Sequence, residues 1–152
     1  MNSHHTLANK IYLAEDDADD RMFFEDALTE VSSQTKLIIT EDGVELMSVL
    51  DSTVPPVPYA LFLDLNMPRK NGFECLKEIR QSDKMKEIPV VVFSTSDRKE
   101  IIDRAYSLGA NLFISKPPSF GLLKKALQMV LSTDLMNGGR QIPRAQFFCK
   151  FA

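Results

Sequence analysis

Four short apolar runs in this chain each stop at a polar or charged residue. Tyr59-Ala60-Leu61-Phe62-Leu63 stops at Asp64, and Ile11-Tyr12-Leu13-Ala14 stops at Glu15-Asp16-Asp17. Val90-Val91-Val92-Phe93 stops at Ser94-Thr95, and Leu112-Phe113-Ile114-Ser115 stops at Lys116-Pro117. Continuous apolar runs this short read as strands buried on both faces. Helical patterns separate them, which makes βαβ units and a parallel sheet. In such a sheet the C-terminal strand tips share one crevice, where ligands bind. If the four strands are neighbours, that crevice gathers several carboxylates, a hydroxyl and an ammonium, a set suited to a hard divalent cation and a phosphoryl group.

The intervening patterns are specific. Asp17 is a good N-cap for a first helix through about Val31, with Phe24, Ala27, Leu28 and Val31 on one face. Leu37-Ile38-Ile39-Thr40 is a second strand, and Gly43 precedes a helix carrying Leu46, Met47 and Leu50. The proline-rich segment from Thr53 to Pro58 is a stiff loop. After Asp64, the loop Asn66 to Gly72 leads into a helix with Phe73, Leu76 and Ile79. Asp97 with Glu100 reads as a capping box for a helix whose core stripe is Ile101, Ala105 and Leu108, stopped by Gly109. A last helix, about Ser119 to Thr133, buries Leu123, Ala126, Leu127 and Val130. Right-handed crossovers give a doubly wound five-stranded parallel sheet with five helices, and 2-1-3-4-5 is the common strand order.

These elements occupy residues 9–133, one α/β domain of an ordinary size for 152 residues. Residues 134–152 form a C-terminal extension too short to be a domain. It is also too aromatic for an indifferent tail, with Phe147, Phe148 and Phe151. It either docks on the domain's own surface or serves a partner or homodimer contact. The net charge of −3 favours neither nucleic acid nor an anionic membrane. Cys75 and Cys149 are too few for a disulfide framework and fit a reducing compartment. With no signal-peptide pattern and no apolar run of transmembrane length, the expectation is a cytoplasmic protein. His4-His5 is read as part of a polar tail, not as a metal pair.

Glu15-Asp16, Asp64 within Leu63-Asp64-Leu65-Asn66-Met67-Pro68, Gly72, Ser94 and Lys116-Pro117 stand in this order, each acid, hydroxyl or ammonium at a strand end. Each motif alone is weak; together they are strong. The arrangement resembles the receiver domain of two-component response regulators, in its single-domain, chemotaxis-regulator-like form, across nearly the whole chain. The resemblance implies a flavodoxin-like fold and a phosphoryl group accepted on Asp64 from a histidine kinase or histidine phosphotransfer protein. It implies Mg²⁺ held by Glu15, Asp16, Asp64 and the Asn66 main-chain carbonyl. Ser94 and Lys116 would bind the phosphoryl oxygens, and the Lys116-Pro117 bond would be cis. Output would be binding to a downstream protein or onward transfer of phosphate, through a surface that includes Ile102, Tyr106 and Phe113. Phe23 and the loop at Pro118 would face the kinase.

Elementary chemistry agrees. Crowded carboxylates repel, and a divalent cation relieves the repulsion. An ionised aspartate can attack phosphorus, and phosphoryl transfer needs positioning and charge neutralisation more than covalent help. Three departures from the common pattern stand out: Ser94 where threonine is frequent, Thr95 where alanine or glycine is common, and Phe113 where tyrosine is common. A phosphohydrolase of the haloacid dehalogenase type also uses a strand-tip aspartate and Mg²⁺. It usually carries a second aspartate two residues on, where this chain has Asn66. A receiver-like scaffold that has lost phosphorylation would not be expected to keep Glu15, Asp16, Asp64, Ser94 and Lys116 together.

Overall fold

The structure, a computed structural model, describes residues 10–152. The expected domain start at residue 9 and the His4-His5 pair lie outside the described residues. Six parallel strands form one sheet: β1 (Lys10–Ala14), β2 (Lys36–Thr40), β3 (Ala60–Leu63), β4 (Val90–Ser94), β5 (Leu112–Ser115) and β6 (Phe148–Lys150). Their order is 2-1-3-4-5-6. The helices are α1 (Ala18–Val31), α2 (Gly43–Thr53), α3 (Gly72–Gln81), α4 (Lys99–Ser107), α5 (Phe120–Leu131) and the short α6 (Arg144–Phe147).

Alternation along the strands divides the core in two. Ile11, Leu13, Phe62, Val91 and Ile114 face α1 and α5, where they meet Phe24, Leu28, Leu123 and Leu127. Tyr12, Leu61, Leu63, Val92 and Phe113 face the other way, onto Leu50, Leu76, Ile79 and Ala105. Both faces are covered, so the central strands are apolar throughout. The register pairs Ala14 with Leu63, Leu63 with Val92, and Val92 with Phe113. The ladder continues into the tips: Asp64 N–H donates to Ala14 O (3.1 Å), Glu15 N–H to Thr40 O (3.0 Å), and Lys116 N–H to Ser94 O (2.9 Å). The polar tip residues are thus placed by the sheet's own hydrogen bonds.

Local signals mostly hold. Asp17 caps α1, accepting from Asp20 N–H at 2.9 Å. Gly72 packs so closely on the Asp64 carbonyl that a Cβ there would stand 2.5 Å from it, so any side chain would displace the Asp64 backbone. The Cys75 thiol is buried against the Gly43 carbonyl, and burial pushes it up to about 12, which makes it an inert packing group.

Three expectations need correction. The five-stranded sheet with five helices has a sixth strand and a sixth helix, because the extension adds α6 and lays β6 along β5. Asp97 does not cap α4. Arg98 occupies the cap position without a side-chain hydrogen bond, and the Asp97 carboxylate accepts instead from Ser115 Oγ–H and Lys150 Nζ, each at 3.1 Å. These two donors hold Asp97 below the ordinary carboxylate range, Lys150 contributing most. Finally, Ile102 and Ala105 carry the buried stripe of α4, with Ile101 and Leu108 half-buried beside it.

Candidate functional site

The tips of β1 and β3 bring one oxygen each of Glu15, Asp16 and Asp64 within 4.8 Å of one another. Glu15 and Asp64 are buried and Asp16 is exposed, so the cluster opens to solvent on one side. Backbone amides set the carboxylates. Asp17 N–H donates to Glu15 Oε2 at 3.1 Å, and Asn66 N–H donates to Asp64 Oδ1 at 3.2 Å. The second contact keeps the Asn66 peptide beside the cluster. Three hard oxygen donors from carboxylates, with room for water, suit a cation such as Mg²⁺.

Lys116 enters from β5, its Nζ 5.7 Å from the centre of the Phe93 ring. It meets Glu15 Oε1 at 2.6 Å, Asp20 Oδ2 at 2.9 Å and Asp64 Oδ2 at 3.4 Å. Burial pushes Glu15 up to about 7; Lys116 opposes that shift and the nearby Asp64 charge adds to it. Burial alone would lower the Lys116 ammonium, but Glu15, Asp64 and Asp20 outweigh it and hold the lysine protonated. The lysine is aimed into the site although the Lys116–Pro117 bond is trans; among the described residues the cis bonds are Val54–Pro55 and Pro55–Pro56. The ladder bond to Ser94 O and the three carboxylates suffice to direct it.

Ser94 ends β4 and is fully buried, with its Oγ accepting from Ser96 N–H at 3.1 Å. Thr95 beside it is exposed. Phe113, Ile102 and Tyr106 are not at the carboxylate site. They lie together on the α4 side of the sheet, where Phe113 is wholly buried and Ile102 nearly so. The C-terminal segment covers them. Phe147 meets Tyr106 and Phe113 edge-on at 4.9 and 6.3 Å between ring centres, and Phe148 meets Phe113 at 5.8 Å. Gln141 Nε2 donates to the Tyr106 and Ala110 carbonyls, and Arg144 pairs with Asp103 at 2.7 Å. Ile102 and Phe113 therefore do not form an exposed patch in this conformation.

Sequence reading missed Asp20 and Asp97. Asp20 lies on the first turn of α1, three residues after the capping Asp17, and the sequence carries no signal that Lys116 reaches it. Asp97 was hidden by its fit to a capping motif. On the α1 side, Asp20, the exposed Phe23, Phe93, Lys116, Pro117, Pro118 and Phe120 line a cavity of about 260 Å³ that opens beside the lysine.

The family model of the response regulator receiver domain matches residues 11–128. The chain belongs to that family. It is 34% identical over 126 residues to response regulator Rcp1 of Synechocystis, covering 80% of this chain and 86% of that protein. The solved structure of the phosphorylated cyanobacterial phytochrome response regulator RcpA superposes with a TM-score of 0.74 at 32% identity, over 80% of this chain and 90% of that one. The Mn²⁺-bound form of Rcp1 gives 0.72 at 34% identity, over 84% and 94%. Receiver domains are phosphoacceptor signalling domains that bind Mg²⁺ or Mn²⁺ at an acidic cluster and work with histidine kinases or phosphotransfer proteins. Membership also removes the dehalogenase-type phosphohydrolase reading. No helix among the described residues is long and apolar enough to cross a membrane.

Proposed function

We propose that Asp64 accepts a phosphoryl group from the phosphohistidine of a kinase or phosphotransfer protein. The observation that carries this is the convergence of Asp64 with Glu15, Asp16 and the Lys116 ammonium from the tips of β3, β1 and β5 at one end of the sheet. An Asp64 oxygen bonds to phosphorus as the P–N bond to the donor imidazole breaks, and the imidazole leaves with the bonding pair. Mg²⁺ held by Glu15, Asp16, Asp64 and the Asn66 carbonyl supplies charge neutralisation when bound. Lys116 neutralises a further phosphoryl oxygen, and the Ser94 hydroxyl turns inward to donate to another. The donor docks over the exposed Phe23 and the cavity rimmed by Pro118.

Output follows from Ser94. Moving it breaks its bond to Ser96 N–H and shifts the β4–α4 loop, which also carries Asp97. Asp97 is tied to β5 and β6, so the shift reaches Phe113, Tyr106 and Ile102 through the segment covering them. On this reading residues up to 133 are the receiver unit and 134–152 an appended cover of its output face. The reformed surface binds a downstream protein in the cytoplasm, or Asp64 passes its phosphate to another histidine.

The test is modification with Mg²⁺ and beryllofluoride or a small phosphodonor. Wild type should be modified and Asp64→Asn should not, because the amide is a poor nucleophile. Equal labelling of the variant would place the acceptor elsewhere.

A further inference from the structure

An ammonium has three N–H donors. Those of Lys116 are divided among Glu15 at 2.6 Å, Asp20 at 2.9 Å and Asp64 at 3.4 Å. The weakest of the three goes to Asp64. Glu15 and Asp64 belong to the acidic cluster, but Asp20 stands outside it, on the first turn of α1. Its side chain is 39% exposed, against 12% for Lys116, and it sits on the rim of the cavity beside Phe23 and Pro117.

Helix formation does not require this carboxylate. The α1 cap is made by Asp17 and uses the Asp20 main-chain N–H, not its side chain. An acid in a first helical turn gains from the helix dipole, but Asp19 next to it has that benefit while exposed to solvent. What separates Asp20 from Asp19 is contact with Lys116. When a phosphoryl group arrives, the lysine must release one partner to meet the new oxygens. Asp20 is the partner that water can best replace, since it is the most exposed of the three acceptors' residues in contact with the lysine.

We propose that Asp20 is a positioning residue that holds Lys116 toward the rim, away from phosphoryl oxygens on Asp64, and so slows loading from small anionic donors. The proposal rests on Asp64 being the acceptor. Two effects act in the same direction. Loss of the Asp20 charge frees a lysine N–H, and it also removes one negative charge from the entrance an anion must pass. Salt screens the second effect far more than the first, because the entrance faces solvent.

The experiment measures beryllofluoride affinity and the rate of labelling by acetyl phosphate, both with Mg²⁺, for wild type, Asp20→Asn, Asp20→Glu and Asp19→Asn. Asp20→Asn should tighten beryllofluoride binding and speed labelling by about threefold to fivefold, the scale of a half-exposed ion pair. Part of that gain should persist in high salt. Asp20→Glu and Asp19→Asn should stay near wild type. A residue acting only on the helix would move both asparagine variants alike and would show in the melting temperature instead. Asp20→Asn no faster and no tighter than Asp19→Asn overturns the proposal. Failure of wild type itself to be modified would instead overturn the reading of Asp64.

Discussion

Lys150 Nζ lies 3.1 Å from Asp97 Oδ2, and the same oxygen accepts from Ser115 Oγ–H. The loop that follows Ser94 is therefore fastened to the last strand of the sheet. Asp97 is half-buried and Lys150 exposed, so each contact is individually weak. Together with the three-residue ladder of β6 on β5 they hold a short strand in place.

That fastening predicts a response to phosphorylation. Beryllofluoride with Mg²⁺ should raise amide exchange at Phe148–Lys150 by about tenfold, while exchange in β1 and β3 stays slow, since local opening is cheapest where few buried contacts hold a strand. Lys150→Ala should raise it without any ligand. Ser94→Ala should accept beryllofluoride yet leave β6 protected. Full loosening of β6 in that serine variant would disconnect Ser94 from the C-terminal segment.

Arg80 predicts a stability effect far from the chemistry. Its guanidinium donates to the carbonyls of Gly109, Lys86 and Ile88 and to Asn111 Oδ1, all at 2.8–2.9 Å. It joins the loops beneath β4 and β5. Arg80→Ala leaves three partly exposed carbonyls and Asn111 Oδ1 without this donor and should cost about 1–2 kcal/mol in urea unfolding. Arg80→Lys should recover only part, because an ammonium cannot span the same fork. An alanine variant as stable as wild type would show that water replaces the guanidinium freely.

Glu15 predicts a pH dependence. Its carboxyl is raised from 4.5 to about 7, so the folded chain holds this proton more tightly than the unfolded chain. In metal-free buffer, stability should therefore fall as pH rises from about 4.5 through about 7, by about 3 kcal/mol at most. Glu15→Gln should flatten that slope. Mg²⁺ affinity should run the other way and rise with pH across the same window, because only the ionised form is a ligand. Identical metal-free slopes in the two proteins would assign the titration to another group.

Asp16 predicts opposite signs with and without metal. It is the exposed member of the cluster and takes part in no ion pair among the described residues. Asp16→Ala should weaken Mg²⁺ binding and yet raise stability in metal-free buffer by about 0.5–1 kcal/mol, because one uncompensated charge leaves the cluster. Destabilisation without Mg²⁺ would mean that Asp16 serves the fold.

The receiver fold was legible from the chain because buried parallel strands must be continuous apolar runs, and a polar residue can enter only at their tips. Glu15, Asp64, Ser94 and Lys116 stood out for that reason. The sixth strand did not. Phe148-Cys149-Lys150 is three residues long, has no alternation and follows a single helical turn, so it is a strand only because the β5 edge offers it a ladder. Asp97 misled in the opposite way. It satisfies a local capping pattern with Glu100, but Ser115 and Lys150 are brought to it from distant parts of the chain and compete successfully. Asp20 reads as one more acid in a first helical turn, and only the fold shows that Lys116 reaches it.

The pairing of β6 with β5 also bears on biosynthesis. A ribosome delivers β5 well before residues 148–150, so the growing chain displays an open parallel edge until the last ladder forms. An open edge offers unpaired N–H and C=O groups to a strand of another chain. Chains shortened by proteolysis or premature stops after α5 would keep that edge, with the Phe113 ring beside it no longer covered by Phe147 and Phe148. Such chains should associate through that edge more readily than chains that carry β6.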